Sequence, residues 1–303
     1  MEAFNGVRFV RLRSMERRGK YLAADVDGAG VCLTGQRGVH NAVWAVDPSP
    51  GPDGPAVLLR GAYGRYLLAT DAQAATGPSH GVTVVQADRD HRSPPPGMRW
   101  EAMDRRGSFV LRCGLGRYLR ANGRYLRWRT AVTVAGDNGS TMMQWAIEIV
   151  PVRLTRPGIT EPIFQLTHKN RRRLTERDVS RNIRFVRCEN NGDINDAAWR
   201  TMEIRSHSTM QLRLTLASSL GRFHGMMTST ICIRAGRFGR FTPLHVDLPI
   251  GNNRIDLVVV THGTPGEKEF SSDCGFSNLL ASQCILLVDN DLRYADLSAA
   301  PLE

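Results

Sequence analysis

The feature that most limits what this chain can become is a motif that occurs three times in its first half. Leu12-Arg13, Leu59-Arg60 and Leu111-Arg112 are each followed by a short turn. After the turn come Gly19-Lys20-Tyr21-Leu22-Ala23-Ala24, Gly64-Arg65-Tyr66-Leu67-Leu68-Ala69 and Gly116-Arg117-Tyr118-Leu119-Arg120-Ala121. The shared pattern is L-R, a turn, then G-[KR]-Y-L-x-A. The tyrosines stand at 21, 66 and 118, which makes them 45 and 52 residues apart. Each unit closes on a tryptophan in an apolar alternation, at Trp44-Ala45-Val46, Trp100-Glu101-Ala102 and Trp145-Ala146-Ile147. Repetition at this period means one supersecondary unit used several times, each copy burying its apolar face against the others.

Each unit reads as short strands joined by turns. Val10 and Leu12 alternate with Arg11 and Arg13, which puts apolar groups on one face and charge on the other. Gly19, Gly64 and Gly116 supply the backbone freedom of a tight turn, and the Tyr and Leu that follow must point to opposite faces. Asp27-Gly28 and Asn122-Gly123 add hairpin signals. Copy number then selects the architecture. A propeller closes with roughly 4–8 blades, whereas three four-stranded units close a small barrel capped by hairpins, a β-trefoil with no exposed sheet edge. A Pro-rich insertion, Ser93-Pro94-Pro95-Pro96-Gly97, lengthens the second unit and belongs in a surface loop.

These G-[KR]-Y-L-x-A repeats with trailing tryptophans resemble the fascin-like, actin-cross-linking β-trefoil class. More closely, the chain resembles the plant family of unknown function that joins one such trefoil to a C-terminal ubiquitin-like domain, and the strand-like Ile183-Arg184-Phe185-Val186-Arg187 extends that likeness into the second half. The resemblance implies a mainly β protein in which a β-trefoil precedes a smaller α+β ubiquitin-like (β-grasp) domain. It names actin filaments as a partner and implies no catalysis, because Gly, Tyr, Leu and Trp at these positions build the barrel.

Read by itself, the second half agrees. Pro151 and Pro157-Gly158 suit a linker. The organisation expected is therefore a trefoil over 1–150, a linker over 151–162, an α+β domain over 163–262 and an extension over 263–303. Arg171-Arg172-Arg173, Arg177 and Arg181 recur at helical spacing, interrupted by Glu176 and Asp178, as on a solvated charged face. Strands are expected at 183–188, 199–205, 230–234, 241–248 and 255–261. Between them Ser208 precedes Gln211 at capping-box spacing, and Leu212, Leu216 and Leu220 share one face before Gly221, so a helix is expected over 209–220. The apolar run at 284–288 is either a final strand or a dimer contact. The chain ends Ala300-Pro301-Leu302-Glu303, lacking the Gly-Gly of a conjugated modifier, so the domain is expected to dock or bind.

Charge is uneven. The net +11 of the 303 residues divides into +9 for residues 1–157 (22 basic, 13 acidic) and +2 for the rest (18 and 16), and only Lys20, Lys169 and Lys268 are lysine. A basic first half suits an acidic protein surface. No apolar run approaches the ~18 residues of a membrane span, and no cationic, apolar and cleavage-site sequence opens the chain, so an intracellular protein, cytoplasmic or nuclear, is expected. Six well-separated cysteines, at 32, 113, 188, 232, 274 and 284, form no C-x-x-C and read as reduced, mostly buried thiols.

Catalytic signatures fit poorly. Gly77-Pro78-Ser79-His80-Gly81 matches G-x-S-x-G, but a nucleophile elbow needs a buried strand before it and a helix after it. The eight histidines show no H-x-H or H-E-x-x-H, and Gly236-Arg237-Phe238-Gly239 lacks the flanking helices of a G-x-x-G nucleic-acid clamp. The best surface candidate is the third repeat, where Arg120, Arg124, Tyr125, Arg127 and Arg129 would form a basic, partly aromatic ridge on a hairpin turned by Asn122-Gly123. The sequence therefore predicts a non-enzymatic binding or scaffold protein without cofactor or metal, its partner an acidic surface such as actin filaments. Cross-linking filaments would need a homodimer or a second contact from the other domain. The alternatives are a lectin-like trefoil binding glycan, and nucleic-acid or anionic-lipid binding through the arginine ridge.

Overall fold

A computed structural model describes residues 2–51, 54–74, 81–123, 131–136, 139–150, 180–189, 193–221, 229–250 and 254–260. The expected linker and C-terminal extension lie outside the described residues, as do Arg171, Arg172, Arg173, Arg177, Ser79 and the run 284–288.

Each repeat contributes four strands. The first gives β1 (Phe9–Ser14), β2 (Tyr21–Ala24), β3 (Val31–Thr34) and β4 (Trp44–Gly51). The second gives β5 (Gly54–Arg60), β6 (Tyr66–Gln73), β7 (Val82–Ala87) and β8 (Trp100–Asp104), and the third β9 (Phe109–Cys113), β10 (Tyr118–Ala121), β11 (Val132–Ala135) and β12 (Trp145–Ile149). The outer two strands of each repeat pair in the ring β1–β4–β5–β8–β9–β12–β1, a closed six-stranded barrel. The inner two form the hairpins β2–β3, β6–β7 and β10–β11. This is a β-trefoil, and closure removes the edges that an open sheet of such strands would expose.

The repeated residues explain the repeated geometry. Gly19, Gly64 and Gly116 sit at φ of +68°, +72° and +75°, where a side chain would be strained, and make the turn out of the L-R strand. Before each tryptophan lies one 3₁₀ turn, at His40–Ala42, Pro96–Met98 and Thr141–Met143. The indoles of Trp44, Trp100 and Trp145, none exposed, donate to the carbonyls of Leu22, Leu67 and Leu119 at 3.1, 2.9 and 3.0 Å. Each tryptophan thus ties the end of its repeat to the middle while satisfying its only polar atom. Leu22, Leu67 and Leu119 point into the barrel core, and Tyr21 and Tyr66 join separate apolar clusters on the other face.

Three local expectations need correcting. Arg11 shares the outer face with Arg13 yet is buried, because that face is covered. Asn122-Gly123 is not a two-residue hairpin turn. Ala121 pairs with Val132, the Asn122 N–H donates to the Ala131 carbonyl at 2.8 Å, and its buried side chain donates to Thr133 Oγ1 at 3.0 Å. The strand that pairs back onto β10 is therefore β11, and residues 124–130 lie outside the described residues. In the Pro-rich insertion Ser93, Pro95 and Pro96 are exposed and Pro94 is half-buried, but Gly97, with Met98 after it, is buried in the second 3₁₀ turn.

The second domain contains β13 (Arg181–Arg187), β14 (Arg200–Ile204), helix α1 (Thr209–Leu220), β15 (Thr230–Arg234), β16 (Thr242–Pro243) and β17 (Ile255–Val260). Its sheet order is β14-β13-β17-β15-β16, with central β13 and β17 parallel, a β-grasp arrangement. Helix α1 begins where the sequence places it. Ser208 Oγ accepts from the Gln211 N–H, Gly221 closes the helix at φ +64°, and Leu212, Leu216 and Ala217 are buried. Two readings of this domain change. Arg181, expected on a solvated helical face, is buried at the start of β13 and donates to the Pro249 carbonyl. The expected strand 241–248 shrinks to two residues. Leu244, Val246 and Leu248 alternate inward as a strand would, but Pro243 has no N–H, and the Leu244 and Leu248 N–H groups bond Ile231 and His207.

The two domains pack together. Their apolar cores form one cluster, and Tyr63, at the tip of the second-repeat turn, is 3 % exposed within it. Residues 235–250, between β15 and β17, lie along the trefoil. Arg89 donates to the Ala235 carbonyl (3.0 Å) and accepts from the Phe238 N–H (2.8 Å), while Ile250 donates to the Val26 carbonyl (2.8 Å). Gly236 must be glycine here, because a Cβ would lie 2.6 Å from the Arg89 backbone.

Candidate functional site

The charged chemistry of the trefoil is arranged in threes. The arginine of each L-R step lies directly across from the tyrosine of G-[KR]-Y, in the register pairs Arg13 with Tyr21, Arg60 with Tyr66 and Arg112 with Tyr118. A carboxylate completes each group. Arg13 donates to Glu148 at 3.0 Å, Arg60 to Asp47 at 2.8 and 3.2 Å, and Arg112 to Glu101 at 2.9 Å. Asp47 and Glu148 each stand three residues after their tryptophan. Glu101 stands one residue after Trp100, on the same strand face because side chains alternate with period two.

In the second repeat this group becomes the centre of the domain junction. Arg60 and Asp47 are only 3 % and 6 % exposed. Asp47 also accepts from the Tyr66 hydroxyl at 3.2 Å and from Arg240 Nη1 of the second domain at 3.3 Å. The Arg240 backbone N–H donates to the Tyr66 oxygen at 3.1 Å, and Arg60 Nη1 reaches the Phe241 carbonyl at 3.2 Å and the Thr242 hydroxyl. Burial alone would push the Asp47 carboxyl up, but Arg60 and then Arg240 outweigh it and hold it below the usual carboxylate range. Burial, together with the Asp47 charge, raises the Tyr66 phenol. In the first repeat Arg37 supplies the second cation, at 2.9 Å from Glu148, so that carboxyl too stays low despite its burial.

Beside this network the rings of His40 and His245 stack across the junction, centroids 5.1 Å apart and planes 18° from parallel. Burial, then the facing His245 and Arg11, lower His40 to about 3; burial, then Arg213 on α1, lowers His245 to about 4. Both are neutral at pH 7. They line, with Phe9, Val43, Arg60 and Pro243, a mostly apolar cavity of about 50 Å³, room for one or two waters. Among the described residues no group of three His, Cys, Asp or Glu side chains could hold a metal ion.

Of the site residues expected from the sequence, Arg120 is half-buried and donates to Met142 Sδ at 3.5 Å. Arg124, Tyr125, Arg127 and Arg129 lie outside the described residues. The residues that hold the junction were not singled out. Arg60 and Tyr66 belong to the repeat itself and read as barrel builders, and the recurring W-x-x-[DE] of Trp44 to Asp47 and Trp145 to Glu148 was the available signal. Nothing local marks Arg240. The Gly236-to-Gly239 segment, unsuited to a nucleic-acid clamp, instead clasps the trefoil at Arg89.

A closed threefold barrel whose second repeat holds a β-grasp domain through a buried ion-pair network defines a two-domain, trefoil plus ubiquitin-like protein. Residues 1–148 match the β-trefoil domain of unknown function DUF569, and residues 179–260 match the DUF569-associated ubiquitin-like domain. The chain belongs to this family. No curated protein matches it. Among solved structures, the designed threefold-symmetric protein ThreeFoil is 20 % identical over 46 % of this chain and 97 % of its own (TM-score 0.37). A Macrolepiota procera ricin B-like lectin in complex with lactose is 15 % identical over 47 % and 95 % (0.36). A Polyporus squamosus lectin is 14 % identical over 48 % and 49 % (0.36). Among the described residues no helix is long and apolar enough to cross a membrane.

Proposed function

We propose that this protein is a non-enzymatic scaffold that binds other polypeptides, with the trefoil as a polypeptide-binding surface and the ubiquitin-like domain as a second surface fixed to it. The observation that carries the reading is the junction. The outer group Arg60, Asp47 and Tyr66 is engaged by the backbone and guanidinium of the chain at 240–242, so this trefoil already holds protein with the side chains its repeat supplies. The net charge of +11 favours an acidic partner. Actin filaments, which the fascin-like resemblance implies, are the acidic polypeptide surface to test first.

Co-sedimentation of the intact protein with actin filaments tests this. Saturable pelleting at low salt that weakens as salt is added supports the reading. Absence of pelleting removes actin. A saturable glycan-array signal, or salt-steep binding to single-stranded nucleic acid or anionic vesicles with no polypeptide partner, replaces the scaffold reading with one of those classes.

A further inference from the structure

The second and third repeats align without a gap from Leu59 to Tyr66 and from Leu111 to Tyr118, so each position has a counterpart. In the second repeat every member is covered by the ubiquitin-like domain. Arg60 and Asp47 are almost fully buried, Tyr63 at the turn tip is 3 % exposed, and a Cβ on Gly64 would meet Ile233 Cγ2 at 3.2 Å. In the third repeat Arg112, Leu115 and Tyr118 keep their places and are less covered, and the carboxylate is Glu101, which faces Arg112 in register where Ala45 faces Arg60, two positions before the place of Asp47. Arg112 and Glu101 are 45 % and 37 % exposed, Leu115, the counterpart of Tyr63, is 40 % exposed, and nothing lies within 4 Å of a Cβ on Gly116. Among the described residues the Glu101 carboxylate accepts a hydrogen bond from Arg112 alone. The first repeat differs, because Arg37 already takes the second-cation position on Glu148.

We propose that Glu101, Arg112, Leu115 and Tyr118 form a docking site for an extended, arginine-bearing segment of another polypeptide. The segment binds through the same kinds of contact that residues 240–242 make on the second repeat, with the carboxylate two strand positions nearer the tryptophan. Its guanidinium sits on Glu101, the N–H of that arginine donates to the Tyr118 hydroxyl, and Arg112 donates to the next carbonyl. An apolar side chain of the segment covers Leu115, as the second domain covers Tyr63. Recognition through one N–H, one carbonyl and one charge selects an extended backbone with a cation at a fixed step, as in strand-type peptide capture. Glu101 is what makes the site cation-selective on a basic surface. The inference rests on the reading of the trefoil as a polypeptide-binding surface, and narrows it to one repeat and one ligand chemistry.

The test uses the intact protein and a fluorescently labelled peptide, Arg-Phe-Gly-Arg-Phe-Thr-Pro, which is the chain's own 237–243 sequence. Anisotropy at low salt is expected to show saturable binding. Alanine at the second arginine of the peptide weakens it at least tenfold, as do Glu101→Gln and Glu101→Lys in the protein, and Leu115→Ser weakens it several-fold. Unchanged thermal melting of these surface variants shows that the fold is intact. No saturable binding overturns the site, and so does binding that survives Glu101→Lys and Leu115→Ser, because the peptide then engages the second-repeat junction or another surface. If the site fails while actin pelleting persists, only the docking inference falls.

Discussion

Asp47→Asn tests the junction most directly, because it keeps the shape of the side chain and removes its charge. The carboxylate receives two bonds from Arg60, one from Arg240 and one from Tyr66, and Arg60 has only 3 % of its side chain in contact with solvent. The variant strands a buried guanidinium, and breaking a buried pair from one side costs about 3–5 kcal/mol. At roughly 2–4 °C per kcal/mol for a folded unit of this size, the expected fall in Tm is on the order of 10 °C. Urea unfolding followed by tryptophan fluorescence reads the same change as a lower midpoint at unchanged slope, since Trp44, Trp100 and Trp145 all report on the barrel. Arg240→Met is milder, about 1 kcal/mol, because that side chain is 39 % exposed and Asp47 keeps Arg60. The double variant Arg60→Met/Asp47→Asn removes both buried charges and is expected to be more stable than the sum of the single losses predicts. A loss below about 1 kcal/mol for Asp47→Asn would show that water reaches the pair and would refute the buried-charge reasoning.

Three further outcomes are expected. His40 and His245 stay neutral in the folded protein at about 3 and about 4, but gain protons near pH 6.5 when unfolded, so acid favours the unfolded chain. Between pH 6 and 5 each removes up to about 1.4 kcal/mol of stability per pH unit. That window lies above the usual range of the carboxylates, so a His40→Gln/His245→Gln variant should flatten the pH dependence of urea stability, and an unchanged slope would count against the stacked neutral pair. Gly64→Ala and Gly116→Ala both strain a positive φ, at a cost of about 1–2 kcal/mol. Only the former also presses on Ile233, so its melting temperature should fall further; equal losses would argue against packing at that turn. Ser208→Ala removes the cap that receives the Gln211 N–H and should cost about 1 kcal/mol by chemical denaturation.

Much of the fold was legible because its signals are local and repeated. Three copies of one motif, each ended by a tryptophan, determined the barrel, since three short-stranded units have few ways to bury their shared apolar face. Ser208, the Leu212 and Leu216 face and Gly221 marked α1 in the same way, through residues whose effect is felt within a turn of the helix. The readings that failed concern partners distant in the chain. Residues 241–248 alternate as a strand does, yet the regular pairing stops at Pro243, and the Leu248 N–H bonds the distant His207 carbonyl. Arg11 and Arg181 look like solvated charge until the elements that cover them are in place.

The division follows from the range of the forces involved. Turn strain, capping and apolar periodicity act between neighbours, so the amino-acid sequence alone determined the threefold barrel, the helix and the general plan of the second domain. Which repeat would hold the ubiquitin-like domain was decided only in three dimensions. All three repeats carry an arginine, a tyrosine and a carboxylate, but the stability of a buried ion pair depends on what excludes water from it. The ubiquitin-like domain, whose Arg240 lies 193 residues after Asp47, does so at the second repeat.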